Sequence, residues 1–409
     1  ISIGRLLKVS ESLLVKAYSI PHSLDIKDFL DNYMCLLNSV LDDLWRKIEW
    51  KRKGERLIPL IRKDSAFKKE LRDKHLREWI YSKHYVDSAI KQAYSVLNSW
   101  RKRYLKGKAG RRKPLLKRRF VRVKETLYSY REGVVKISIK PFQESISIDL
   151  KKSWFWDRIR GLELGELILK EDELVISVRK KLELKLEKPV AWDVNLLTLD
   201  GYDGEKDYTI DLKDIYTIHR TYELKRRRIQ SLPPKTAEKL LQKYRSRERN
   251  RVNDILHKIA KQLANRTNVF EDLHNFKERI AKTKSRSLNR QNSKHDYIKL
   301  QKYIEYKSAW NGYLTVHIDP KLTSKTCSRC GWVNKDLRGA GEFECKKCGF
   351  KIDRQKNAAR NIWHIFLRMW GQGFAPKGAK LNDKLPMNPE GDKGDEAQEL
   401  SMGSIRIHT

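Results

Sequence analysis

Four cysteines constrain the C-terminal third of this chain more tightly than any other feature. They form two Cys-x2-Cys knuckles, Cys327-Ser-Arg-Cys330-Gly331 and Cys345-Lys-Lys-Cys348-Gly349. Each knuckle offers two sulfurs from one tight turn, and the glycine after it lets the backbone fold back. Two such turns complete a tetrahedral thiolate set for one structural Zn2+. The segment is therefore expected to be a small zinc ribbon, with a redox dithiol pair as the competing reading of the spacing. The fifth cysteine, Cys35, lies in an amphipathic helical run and is expected to be a buried apolar residue rather than a nucleophile.

Zinc-type cysteines suit a reducing compartment, and the charge says what the partner is. Among 409 residues, 89 Lys+Arg face 52 Asp+Glu, a formal net charge of +37. A compact chain with that imbalance repels itself unless a polyanion neutralises it, so nucleic acid is the expected partner and an anionic membrane surface the weaker one. No apolar run reaches the roughly 18 residues of a membrane span, and no secretory leader is visible. A cytoplasmic, membrane-free protein is expected, with hydrophobic content of 39% supplying cores for two or three domains.

In the N-terminal half, Leu13–Ile20 reads as a strand closed by Pro21, with Ser23 placed to cap the next helix. That helix is expected over Asp25–Trp50, because Ile26, Phe29, Leu30, Tyr33, Leu37, Val40, Leu41, Leu44, Trp45 and Ile48 recur at spacings of three and four. After a basic turn at Lys51–Arg56, Val86, Ile90, Tyr94, Leu97, Trp100 and Tyr104 mark a second helical block. Between residues 101 and 119 there is no acid. Arg101, Arg103, Arg111, Arg112, Lys113, Arg118 and Arg119 stand among Gly107, Gly110 and Pro114, a poor helix and a good phosphate-binding linker. From Phe120 to about Leu184 the period changes to two, which predicts an antiparallel β-domain. With the first strand it would close a small barrel interrupted by the helical bundle.

Pro189 then leads into an apolar strand that carries Asp193, and a buried acid there needs a metal, a partner or a cleft. Leu196–Leu199 and Tyr208–Leu212 read as short strands separated by a Gly/Asp turn. Basic patches, Arg226, Arg227 and Arg228 among them, flank the break at Pro233-Pro234. A helix over Asn250–Asn265 precedes a short strand ending in Glu271. Another helix over Lys294–Trp310 precedes a strand over Tyr313–Ile318, which Pro320 ends. Asp353 opens a last helix with Ala359, Ile362, Trp363, Phe366, Met369 and Trp370 on its inner face, and from about Gly371 a disordered tail is expected. If Asp193, Glu271 and Asp353 meet, three hard oxygen donors suit Mg2+ or Mn2+ and phosphodiester hydrolysis. Each acid also has a simpler reading as a surface charge, or for Asp353 as a helix cap.

The Asp193 strand, Phe270-Glu271-Asp272-Leu273, Tyr306-Lys307-Ser308-Ala309-Trp310-Asn311-Gly312, Thr323-Ser324-Lys325-Thr326-Cys327 and Asp353-Arg354 through Asn357-Ala358-Ala359-Arg360-Asn361-Ile362 together resemble the OrfB/TnpB proteins of insertion sequences. These are relatives of the compact type V CRISPR effectors. The resemblance is specific over about Val190–Trp370 and looser before it. It implies an α+β multidomain chain: a wedge barrel (1–22 and 113–186) interrupted by a helical recognition domain (23–112), and a RuvC nuclease of RNase H-like fold (187–320 and 353–374) with a zinc ribbon inserted at 321–352, before a tail at 375–409. It implies Asp193, Glu271 and Asp353 as catalytic acids holding Mg2+ or Mn2+. The expected partners are a guide RNA and target DNA bearing a short flanking motif, handled by a monomer. Two departures stand out: Asn195 occupies a position where many members carry Gly, and Gln355 one where many carry Asp. A catalytically silent guide-dependent repressor and a guide-free zinc-ribbon binding protein are the alternatives.

Overall fold

Apolar stripes at helical spacing become helices wherever a second stripe is available to cover them. The computed structural model describes residues 12–54, 56–273, 296–319, 321–334, 341–371 and 407–408, which fall into two compact units. The first is built on residues 15–180. Its strand β1 (Ser12–Pro21) leads into α1 (Lys27–Arg46), followed by β2 (Glu49–Lys53), β3 (Arg56–Leu60), α2 (Ser65–Leu76) and α3 (His84–Leu105). Phe29, Tyr33 and Leu37 of α1 and Tyr85, Ala89 and Leu97 of α3 are buried together in this helical layer. Asp64 accepts the Phe67 N–H at 2.9 Å and starts α2.

Several details differ from expectation here. The segment around Lys51–Arg56 is a hairpin rather than a basic turn: Trp50 lies opposite Pro59, and Gly54 at φ 59° reverses the chain. Most of β2 is exposed, so no stripe carries the helix beyond Arg46. Ser23 does not cap α1, whose N-cap is Ile26 without a side-chain bond. Cys35 is exposed, because at 100° per residue it falls on the outer arc while Tyr33, Met34, Leu36 and Leu37 face inward. Arg101 and Arg103 still belong to α3, and only residues 106–119 lack regular structure.

The remaining strands of this unit are β4 (Phe120–Val123), β5 (Tyr128–Arg131), β6 (Val134–Lys140) and β7 (Glu144–Asp149), then the short helix α4 (Trp156–Ile159), β8 (Glu163–Lys170) and β9 (Glu173–Leu182). The first strand does join them, in the order β1-β9-β8-β4, but β5-β6-β7 form a separate sheet rather than closing one barrel. The 3-10 turn at Glu125–Leu127 separates β4 from β5 along the chain, at the point where it passes from one sheet to the other.

The second unit runs from residue 181. Its elements are β10 (Val190–Val194), β11 (Thr198–Tyr202), β12 (Asp207–Asp211), α5 (Lys213–Ile229), α6 (Pro234–Leu263), β13 (Asn268–Glu271), α7 (Tyr297–Trp310), β14 (Thr315–Ile318), β15 (Glu342–Glu344), β16 (Lys351–Asp353), α8 (Arg354–Gly371) and β17 (Ile407–His408). One sheet carries the order β14-β13-β10-β11-β12-β17. β10, β13 and β14 are parallel, whereas β10, β11 and β12 form an antiparallel meander. Helix α6 starts at Pro234, well before the expected Asn250, since proline at the first turn removes no needed N–H. The expected start of α7 at Lys294, the end signal at Pro320 and the tail at 375–409, apart from β17, lie outside the described residues.

The sheet is covered on both faces. Val190, Trp192, Leu199 and Phe270 pack against Ile215 of α5, Leu256 and Ile259 of α6, and Leu300 and Ile304 of α7. Ala191, Val269, Val316 and Ile318 pack on the other side against Ile362, Trp363 and Phe366 of α8. This is a mixed α/β arrangement of helix, sheet and helix layers.

Asp200-Gly201 was expected in a turn and instead lies inside β11, with Gly201 opposite Trp192. A Cβ built on Gly201 would meet the Trp192 ring at 2.4 Å, so glycine is what lets the indole lie flat on the strand. Gly201→Ala is expected to cost about 1–3 kcal/mol by overpacking, read as a lower denaturant midpoint. An unchanged midpoint would show that the ring is not seated there.

Candidate metal centres

Asp193 and Glu271 are brought together by strand register. Trp192 pairs with Phe270 across the parallel β10–β13 ladder, and each acid is the next residue along its strand. Side chains alternate across a sheet, so both acids fall on the side of Ala191 and Val269, the side that α8 covers. Asp200 joins them there, because it is the register partner of Asp193 on β11. Its carboxylate is buried and accepts the hydroxyls of Thr198 (2.6 Å) and Thr209 (2.7 Å). Asp353 is the last residue of β16 and is exposed, and its Oδ1 accepts the backbone N–H groups of Gln355 (2.9 Å) and Lys356 (3.2 Å). It thus fulfils the capping role while standing at the entrance to α8.

The electrostatics tie these groups to one another. Burial, and next the negative charge of Glu271, push Asp193 up to about 7, against the pull of the Asn195 side chain. Asn195 Nδ2 donates to Asp193 Oδ2 at 2.9 Å, so the residue that replaces glycine holds the acid itself. Asp200 is raised by burial in the first place and further by Asp353. Glu271 Oε1 accepts the Thr323 hydroxyl at 2.5 Å. The Tyr297 phenol, at the start of α7, is raised by burial and then by the charge of Asp193. Asp296 beside it bonds His219 Nε2 at 3.0 Å, while His219 Nδ1 meets Glu248 at 2.9 Å. A carboxylate whose proton affinity is raised by burial and by a neighbouring carboxylate is a site that a divalent cation with oxygen ligands would neutralise, and on that chemistry the donor set fits Mg2+ or Mn2+. The pair is not drawn into a closed triad with Asp353: among the described residues, only the four cysteines place all donor atoms within 4.8 Å of one another.

That cysteine set fits zinc. Cys327 and Cys348 sulfurs are 3.8 Å apart, and Cys330 and Cys345 sulfurs 3.6 Å. Four thiolates at about 2.3 Å from a tetrahedral Zn2+ lie about 3.8 Å apart. The two knuckles share one geometry: Gly331 and Gly349 have φ of 73° and 68°, and each returns its N–H to the first cysteine carbonyl at 2.9 Å. Burial opposes ionisation of Cys345, but the N–H groups of Cys348 and Lys347 draw its thiol down to about 6.

The basic residues are less uniform than the sequence suggests. Lys113 pairs with Asp42, Arg119 with Asp31 and Glu171, Arg226 with Glu248, and Arg227 with Glu223. Arg101 donates to the Pro59 carbonyl at 2.8 Å, and Arg111 stacks over Trp50. Arg103, Arg112, Arg118 and Arg228 are exposed. Sequence reasoning missed Asp200 and Thr323. The alternation Thr198-x-Asp200 was a signal for the first, and nothing local marked the second.

Fold and site define a class of strongly basic α/β proteins with a four-thiolate insert before the last helix on the sheet. A family profile described as "Cas12f1-like, TNB domain" matches residues 297–362, and one for the uncharacterized protein MJ0013 family matches residues 29–138. TnpB-like protein MJ1635 of Methanocaldococcus jannaschii is 32% identical over 403 residues, covering 94% of each chain. The CRISPR-associated endodeoxyribonuclease Cas12f1 of Sulfoacidibacillus thermotolerans is 42% identical over 67 residues, 16% of each chain. The structure of a Cas12f1-sgRNA-target DNA complex shares the fold, with a TM-score of 0.53 and 17% identity over 82% of this chain and 81% of that one. The chain belongs to the TnpB-like family. No helix among the described residues is long and apolar enough to cross a membrane.

The raised Asp193 proton affinity has a measurable sign. The folded chain keeps this proton up to about pH 7, whereas the unfolded chain releases it near the ordinary 3.8. Between those values the folded state binds more protons, so stability falls as pH rises and stays lower above about 7. In chelator at pH 8, Asp193→Asn is therefore expected to melt several degrees above the wild type, with the difference vanishing near pH 4. Equal melting at pH 8 would show that the carboxylate is not strained by its neighbours.

Proposed function

We propose that this chain is an RNA-guided DNA endonuclease encoded by a mobile element, with a RuvC-type nuclease site on its mixed sheet. The observation that carries the reading is the adjacency of Asp193 and Glu271 at matching positions of two parallel strands, one carboxylate raising the proton affinity of the other. Divalent ions bound there would activate a water and stabilise the leaving oxygen of a phosphodiester. In this reading Asp193 and Glu271 hold Mg2+ or Mn2+, and Asp353, exposed at the entrance to α8, completes the set from the solvent side. The Asn195 amide donates to one Asp193 oxygen, which favours its ionised form and orients it, and this makes Asn195 compatible with the chemistry despite replacing the usual glycine. Asp200, held by two threonine hydroxyls, adds fixed negative charge next to the pair.

Family membership supports the guide, and the basic surface supports a long polyanion. Guide RNA would pair with the target, base pairing would supply specificity, and the protein would read only a short flanking motif. Arg103, Arg112, Arg118 and Arg228 are the exposed cations proposed to contact phosphates, together with Arg101, Arg111, Lys113, Arg119, Arg226 and Arg227 where the polyanion outcompetes their present partners. The four cysteines would hold the ribbon's zinc.

The test pairs copurifying RNA with a matching plasmid in Mg2+. Wild type is expected to cut, and Asp193→Ala and Glu271→Ala to fall to the uncatalysed background while keeping RNA and guided DNA binding. Guided binding without cutting by the wild type would instead identify a silent repressor. Purification without a discrete RNA would identify a guide-free binding protein.

A further inference from the structure

The cysteine insert touches the acids at both of its ends. At its entry, Thr323 is buried and its hydroxyl donates to Glu271 Oε1 at 2.5 Å. The same turn is bolted to α8: Asn361 Nδ2 donates to the carbonyls of Thr323 (2.8 Å) and Thr326 (2.6 Å), and Asn357 Nδ2 to that of Thr326 (2.8 Å). Asn357 Oδ1 accepts the N–H of Ser328 at 3.0 Å, the residue after the first ligand of the knuckle. Both asparagines are buried. At its exit, Asp353 ends the β15–β16 hairpin opposite Glu342, and the Arg354 N–H bonds the Gly341 carbonyl at 3.0 Å. The hairpin runs into the second knuckle directly, since Cys345 comes straight after Glu344.

Among the described residues the apolar core of the insert is small. Its apolar cluster consists of Phe343 with Cys327 and Cys345, flanked by Phe350 and Ile352. A cluster of that size does not offset the entropy of ordering the insert without a cross-link through its sulfurs.

We propose that zinc at the four cysteines sets the geometry of the acid site, and that Thr323 is the positioning residue that transmits it to Glu271. The proposal rests on the reading of Asp193, Glu271 and Asp353 as divalent-ion ligands. A hydroxyl donating to Oε1 restrains the rotamer of Glu271 and so orients the carboxylate. The hairpin fixes the backbone position of Asp353. Loss of zinc would release both acids while leaving the sheet, whose helices and strands do not pass through the insert, in place.

The experiment measures Mn2+ binding to the full-length chain by the electron paramagnetic resonance signal of free Mn2+, alongside cleavage against Mg2+ concentration. Thr323→Val keeps the volume and removes the donor, and it is expected to weaken Mn2+ binding at least about tenfold. It should raise the Mg2+ needed for half-maximal cutting by a similar factor, with a smaller effect at saturating Mg2+. Thr323→Ser keeps the donor and is expected to behave as wild type. Wild type stripped of zinc by an organomercurial is expected to lose Mn2+ binding while its main unfolding transition persists. Wild-type Mn2+ affinity in folded Thr323→Val, or in the zinc-stripped chain, overturns the proposal. Glu271→Gln separates the two levels: if it binds Mn2+ and cuts normally, the reading of the acid site fails. If it loses both while Thr323→Val loses neither, only the coupling fails.

Discussion

The Trp192–Asn268 hydrogen bond is the contact on which the acid site depends. The buried indole N–H donates to Asn268 Oδ1 at 2.9 Å, across 76 residues of sequence. Asn268 Nδ2 in turn faces the carbonyls of Leu263 (2.9 Å) and Arg266 (3.1 Å) and the Ser308 hydroxyl (3.1 Å). A buried polar hub with its partners in place specifies one arrangement, because any other leaves polar groups desolvated and unpaired. Here the arrangement is the parallel register of β10 on β13. A slip of one residue would turn either strand over, sending Asp193 and Glu271 to opposite faces of the sheet.

Register alone would leave two carboxylates competing for one region of low dielectric. The structure answers with donors distributed over three segments: Asn195 on Asp193, Thr323 on Glu271, and two backbone N–H groups at the start of α8 on Asp353. Arg354 lowers the proton affinity of Asp193, and Lys356 that of Asp200. These donors satisfy part of each carboxylate without cancelling its charge. The residual charge makes the site costly to the fold and suited to a cation, the usual opposition between stability and function.

The parts that were legible in the sequence share a cause. Knuckle spacing, helical stripes and an acid inside an apolar strand are local patterns, and the four cysteines, α1, α3, α6 and the strand around Asp193 come from them. Misreadings came where tertiary packing overrode a local signal. Asp200-Gly201 has the composition of a turn, yet it lies in β11 because Trp192 needs a strand without a side chain beneath its ring. Glu49 and Trp50 read as the end of a helix and Lys51–Arg56 as a basic turn, and together they become a hairpin through pairing of β2 with β3. Cys35 has a buried residue's chemistry and an exposed residue's position in the helical period. Thr323 was invisible because its partner is 52 residues away.

Charge was the plainest signal and needed the structure most. A surplus of +37 favours a polyanionic partner, but the fold divides the cations into two kinds. Arg119, Lys113 and Arg226 already hold carboxylates of their own units, so their transfer to a phosphate exchanges one ion pair for another and adds little net affinity. Exposed cations such as Arg103, Arg112 and Arg118 would give up only water and counterions to a phosphate, and on the proposed reading they would carry the salt-dependent part of binding. The surface therefore separates cations engaged in ion pairs within their own unit from exposed cations, a division that counting lysines and arginines along the chain does not reveal.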